Sequence, residues 1–110
     1  MLKKETTMRK PKSPEKVVMG VGWYRPEQWK LLRQISADVN ELEKTHAEWL
    51  AIAEKAVKDL KRQGLSIIKV DVDVEELRNW CGRQGLPIDA SARAQFISLE
   101  TQKMVENQES

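Results

Sequence analysis

The chain has 110 residues, 40% hydrophobic and 33% charged, a balance that fits one well-solvated domain and argues against a disordered polymer or a membrane protein. Its longest uncharged apolar stretch, Val17 to Tyr24, is far too short to cross a bilayer. Cys81 is the only cysteine, so no internal disulfide is possible and a thiolate-rich zinc site is excluded.

The formal net charge of +2 hides an asymmetry. Residues 1–16 carry Lys3, Lys4, Arg9, Lys10, Lys12 and Lys16 against Glu5 and Glu15, six cations against two anions, so the body is about −2. Residues 1–15 are broken by Pro11 and Pro14 and lack apolar periodicity, which predicts a disordered basic tail. Such a tail is either a soluble terminus or an arm for an acidic partner. No apolar run follows Met1-Leu2-Lys3-Lys4 within Glu5 to Ser13, so a signal peptide is not expected and the cytoplasm is the expected location.

Residues 16–105 are expected to form a single globular domain. Val17 to Trp23 is apolar and β-rich, a first strand whose glycines suit a close backbone approach. Pro26 and Glu27 then suit the first turn of a helix, the proline because its missing N–H costs nothing there and the glutamate because of the helix dipole. From Trp29 to Leu60 an apolar seam recurs at spacings of three and four through Leu32, Ile35, Val39, Leu42, His46, Trp49, Ala53, Ala56 and Leu60. Arg33, Glu41, Glu43, Lys44, Glu48, Lys55 and Lys58 lie around it as a solvated back. An unbroken helix over 26–63 would run roughly 57 Å at ~1.5 Å per residue, long for so small a domain. Asp38 followed by Glu41 offers a cap, so two helices are expected, about 26–36 and 38–63, ended by Gly64.

Ser66 to Asp73 alternates Ile68, Val70 and Val72 with Lys69, Asp71 and Asp73, a second strand with one wet face. Asp73 can cap a helix over Val74 to Gln84, stopped by Gly85, with Val74, Leu77 and Trp80 or Cys81 inward. Asp89 can cap a last helix over about 90–105, with Ala92, Phe96, Leu99, Ile97 and Met104 on its apolar side; residues 106–110 are expected to fray. The fold class is therefore α+β and mainly helical: a long helical segment between two short strands, then two C-terminal helices. Strands joined by such a crossover are expected to pair parallel, with an antiparallel pairing still open. A two-stranded sheet is a poor free-standing core, which argues for a homodimer or another protein partner.

Trp23, Tyr24, Arg25 and Trp29 concentrate at the strand-to-helix junction of a chain that is only 5% aromatic, and form the candidate partner-binding site. The competing reading makes the tryptophans core plugs and pairs Arg25 with a carboxylate. Asp71 and Asp73 share a strand face and would suit a hard cation, but neither a third acidic motif nor a phosphate loop accompanies them; capping and solubility explain both. His46, the only histidine, is expected to pack against the seam, bonded to a carboxylate. No catalytic residue, metal site or cofactor is expected; a small metal-dependent enzyme using Asp71, Asp73 and His46 is the weakest alternative. A helix-turn-helix would need basic or amide residues on the last helix, which offers only Arg93, Gln95, Gln102 and Lys103. Nucleic-acid binding therefore stands behind protein binding, resting on the basic tail and the Trp23-Tyr24-Arg25 cluster.

Four segments carry a resemblance: Gly22-Trp23-Tyr24-Arg25-Pro26-Glu27-Gln28-Trp29; Glu48-Trp49-Leu50; Val70-Asp71-Val72-Asp73-Val74-Glu75-Glu76-Leu77 with Trp80-Cys81; and Ala92-Arg93-Ala94-Gln95-Phe96. Together, over roughly residues 20–100, they resemble a family of small uncharacterised bacterial proteins. The resemblance implies a self-standing cytoplasmic unit and transfers no activity, ligand or catalytic residue.

Overall fold

A computed structural model describes residues 18–109; the basic tail and Ser110 lie outside the described residues. Strand β1, Val18–Trp23, leads into a 3₁₀ turn, Pro26–Gln28, and helix α1, Trp29–Ile35. A second 3₁₀ turn, Val39–Glu41, precedes helix α2, His46–Arg62, and strand β2, Ser66–Asp71. Helices α3, Val74–Gln84, and α4, Ala90–Glu109, complete an α+β, mainly helical fold. The two strands pair in parallel, from Val18 opposite Ser66 to Trp23 opposite Asp71.

Each boundary has a local cause. Thr45 and Glu48 form a capping box for α2: Thr45 Oγ1 accepts from the Glu48 amide at 3.1 Å, and Glu48 Oε1 accepts from the Thr45 amide at 3.2 Å. The helix ends at Gly64, whose φ of 94° costs a glycine little. Asp73 Oδ1 caps α3 by accepting from the amides of Glu75 and Glu76, and Gly85 closes that helix in the left-handed region at φ 69°. Asp89 Oδ1 likewise accepts from the Ala92 amide at 3.0 Å. The Val74 amide at the start of α3 finds its acceptor in Gln28 Oε1, 46 residues earlier, which ties the first 3₁₀ turn to α3.

The helical segment breaks earlier and more widely than the sequence predicts. Helix α1 stops at Ile35, Ser36 is extended, and α2 restarts only after Thr45. Asp38 makes no side-chain cap. Its carboxylate instead takes a bidentate ion pair from Arg93 of α4, Nη1 to Oδ1 at 2.9 Å and Nη2 to Oδ2 at 2.7 Å. Nearby, the Ala37 amide donates to the Ile88 carbonyl at 2.7 Å. The seam is accordingly not one helical face: its middle lies on an irregular connector, and in α2 the buried positions are Ala53 and Val57 while Ala56 is exposed.

Other corrections are smaller. The second strand ends at Asp71, so Val72 and Asp73 are a link. The last helix runs to Glu109 rather than fraying from residue 106, and Leu99 is exposed rather than inward.

The core gathers where α1, α3 and α4 meet the end of the sheet, around Leu32, Val72, Val74, Leu77, Cys81 and Phe96. Helix α4 crosses the sheet at the glycines of β1. A Cβ on Gly20 would overlap the Thr101 hydroxyl and lie 2.8 Å from its Cβ, and one on Gly22 would lie 2.5 Å from Ile97 Cδ1. These two positions are glycine because the helix leaves no room for a methyl group. The period of two turns Trp23 and its parallel neighbours Lys69 and Asp71 to the opposite face, where Trp23 meets Trp49 of α2.

Candidate functional site

At the C-terminal end of β1 the fold brings together five rings: Trp23, Tyr24, Trp29, His46 and Trp49. Trp49 is the hub, its ring centroid 5.3 Å from Trp23, 5.3 Å from Tyr24, 5.5 Å from Trp29 and 5.2 Å from His46. The contacts of Trp23 and Tyr24 with it are edge-on, the arrangement that sets a positive ring edge against a negative face. Two polar atoms of the cluster are spent on backbone. Trp29 Nε1 donates to the Glu43 carbonyl at 3.1 Å, and His46 Nε2 donates to the Tyr24 carbonyl at 2.6 Å. His46 therefore bonds a carbonyl, not the carboxylate expected from the sequence.

The four candidate residues divide by exposure. Tyr24 and Trp29 are buried, at 8% and 4% exposed, and belong to the core. Trp23 is half-buried, with the Lys69 ammonium 4.3 Å over its ring. Arg25 is exposed and pairs with Asp71, Nε to Oδ1 at 3.2 Å, and more distantly with Glu27. Only Trp23 and Arg25 thus present surface to a partner. Burial pushes the Tyr24 phenol up to about 12, against a smaller opposing pull from Arg93.

The Asp38–Arg93 pair is the electrostatic anchor of this region. The Arg93 hydrogen bond holds the Asp38 carboxyl below its usual value, and Asp38 more than offsets the burial that works against the Arg93 charge. Ser36 Oγ accepts a further bond from Arg93 Nη1 at 3.3 Å. This pairing removes Arg93 from the set a helix-turn-helix would use. Cys81 is buried, its thiol pushed up by burial and then by Asp89.

The enzymatic alternative finds its three residues apart in role. Asp71 faces Arg25, Asp73 caps α3, and His46 sits in the ring cluster. Among the described residues no group of three or more His, Cys, Asp and Glu side chains could hold a metal ion, and no helix is long and apolar enough to cross a membrane.

The opposite end of β1 is built differently. Between it and α4 runs an open groove of about 610 Å³, lined chiefly by Val18, Met19, Ala94, Ile97, Thr101 and Val105. Val18 is 42% and Met19 40% exposed, and no lining residue is charged, in a chain that is one-third charged. A two-stranded sheet also leaves the outer edge of β1 without a strand beside it among the described residues. Nothing in the sequence beyond the glycines of β1 marks this groove, because its walls belong to two segments 70 and more positions apart. No family model, curated protein or solved structure matches this chain.

Proposed function

We propose that the protein is a non-enzymatic interaction module that self-associates through the groove and free edge formed by β1 and α4. The supporting observation is the uncharged, largely apolar lining, with Ser98, Thr101 and Gln102 as its polar members, beside an open strand edge. A patch of one net charge repels its own copy across a two-fold axis, so an uncharged patch favours a second copy over an oppositely charged partner. Antiparallel pairing of two β1 edges would extend a two-stranded sheet to four strands and cover Val18 and Met19. A cytoplasmic location belongs to the same reading, since the buried Cys81 is a free thiol, as does membership of the bacterial family that the sequence resembles.

Light scattering on the chromatographed protein tests this directly. The expected mass is twice the 12.7 kDa of the chain and insensitive to salt, because apolar contacts are not screened. Ala94 and Ser98 are exposed on α4, so Ala94→Lys with Ser98→Lys should give a monomer with an unchanged circular dichroism spectrum and a melting temperature that no longer depends on protein concentration. A monomeric mass for the parent chain, or a dimer indifferent to those changes, would sink the proposal.

A further inference from the structure

A second, wide-mouthed recess of about 500 Å³ lies beside Trp29, between α1 and the connector that leads into α2. Its polar wall carries Lys30, Arg33, Lys44 and His46; Trp29 and Val39 supply apolar surface. Three cations, Lys30, Arg33 and Lys44, therefore line one cleft, and no carboxylate does. Lys30 and Lys44 are exposed and form no ion pair among the described residues, unlike Lys55 and Lys103, each held by a carboxylate on its own helix.

Two of the four polar groups are held in position by backbone. Arg33 Nη1 donates to the carbonyls of Leu42 at 3.1 Å and Glu43 at 2.9 Å, which fixes the guanidinium plane and leaves its Nε and Nη2 hydrogens for another acceptor. The bond from His46 Nε2 to Tyr24 similarly fixes the imidazole, with Nδ1 as its remaining nitrogen. A guanidinium immobilised before binding loses little freedom when it takes a planar or tetrahedral anion. The cleft volume falls in the range of small-molecule sites, roughly 300–1,000 Å³.

We propose that this cleft binds a small ligand bearing a carboxylate or phosphate group on an apolar or planar body. The anion would meet Lys30, Lys44 and the free edge of Arg33, and the body would lie against Trp29 and Val39. A polyanionic strand is the less suitable occupant, since three cations on one recess supply few of the successive phosphate contacts that a strand needs. The site is independent of self-association, because none of its residues lines the β1–α4 groove.

Calorimetric titration of the full chain with pyrophosphate, citrate and adenosine monophosphate tests the assignment. Saturable one-to-one binding is expected for at least one probe, with Kd of about 1 mM or tighter. Pyrophosphate against citrate separates phosphate from carboxylate preference, and the nucleotide reports the contribution of a planar body. Lys30→Gln with Lys44→Gln should weaken binding at least tenfold without moving the melting temperature. Lys58→Gln with Lys61→Gln, exposed lysines further along α2 that do not line the cleft, should leave binding unchanged. Absence of saturation with all three probes, or equal weakening by both double variants, would overturn the proposal. So would a single-stranded oligonucleotide that binds more tightly than all three probes and is released by Lys30→Gln with Lys44→Gln.

Discussion

The two ends of β1 are both apolar, yet one is closed and the other open. At the Trp23 end, large rings fill the space they create, and the Trp29 indole and His46 imidazole nitrogens are each met by a carbonyl. At the Val18 end, Ala94 and Ser98 add little volume beyond the tight Gly20–Thr101 contact, and aliphatic edges stay bare beside the outer edge of β1, which has no strand next to it among the described residues. The lesson is that aromatic density is a poor sign of an exposed binding surface. Large flat side chains bury themselves, and a groove forms where side-chain volume is missing.

Breaking the closed end should have the largest effect. Asp38→Ala leaves the Arg93 guanidinium, about 10% exposed, without its carboxylate, at a cost of about 3–5 kcal/mol in urea unfolding. Adding Arg93→Met should restore much of that loss, because the uncompensated charge is gone. The same pair sets the acid limb: the folded-state Asp38 value lies below its ordinary 3.8, so its contribution is present above that pH and lost as pH falls through the lower, folded value.

The alkaline limb comes next and reads the same region. Tyr24 is the only tyrosine, and its folded value of about 12 lies above the unfolded 10.0. The native state therefore holds its proton longer, and stability should fall between pH 10 and 12 by roughly 2–3 kcal/mol. Tyrosinate absorbance should stay low through that interval in the folded protein, and Tyr24→Phe should flatten the limb.

Gly20→Ala sharpens the comparison from the open end. A methyl there collides with the Thr101 side chain, so α4 must move off the sheet, at about 1–3 kcal/mol. Gly22→Ala should cost less, since the atom in its way is the flexible tip of Ile97. If the groove is the self-association surface, Gly20→Ala should also weaken the dimer, a change that Asp38→Ala at mild temperature should not produce.

Much of the fold was legible because its signals are short-range. Alternation over Ser66 to Asp71, the Asp73 and Asp89 caps, and Gly64 and Gly85 at helix ends each act within a few residues. The Thr45–Glu48 capping box is equally local, whereas the capping arrangement that Asp38 and Glu41 offer goes unused because the Asp38 carboxylate pairs with Arg93. Of the candidate site, the clustering of Trp23, Tyr24, Arg25 and Trp29 was legible, whereas the division between buried Tyr24 and Trp29 and more accessible Trp23 and Arg25 was not. That division depends on Trp49 and His46, which arrive from another helix. Lys30, Arg33 and Lys44 illustrate the same limit, because a cation on a solvated helix back and one on the wall of a cleft look alike in sequence.

The sequence by itself determined the element types and most of their ends, since hydrophobic period, caps and left-handed glycines are written in neighbouring residues. Only the tertiary structure decided where the long helical segment breaks. Nothing in Ser36-Ala37-Asp38 forbids a helix, but the Ala37 amide bonds Ile88 and the Asp38 carboxylate meets Arg93, 55 residues away. The structure likewise decided which apolar surface stays open, because a groove belongs to the gap between two segments and neither segment encodes it alone.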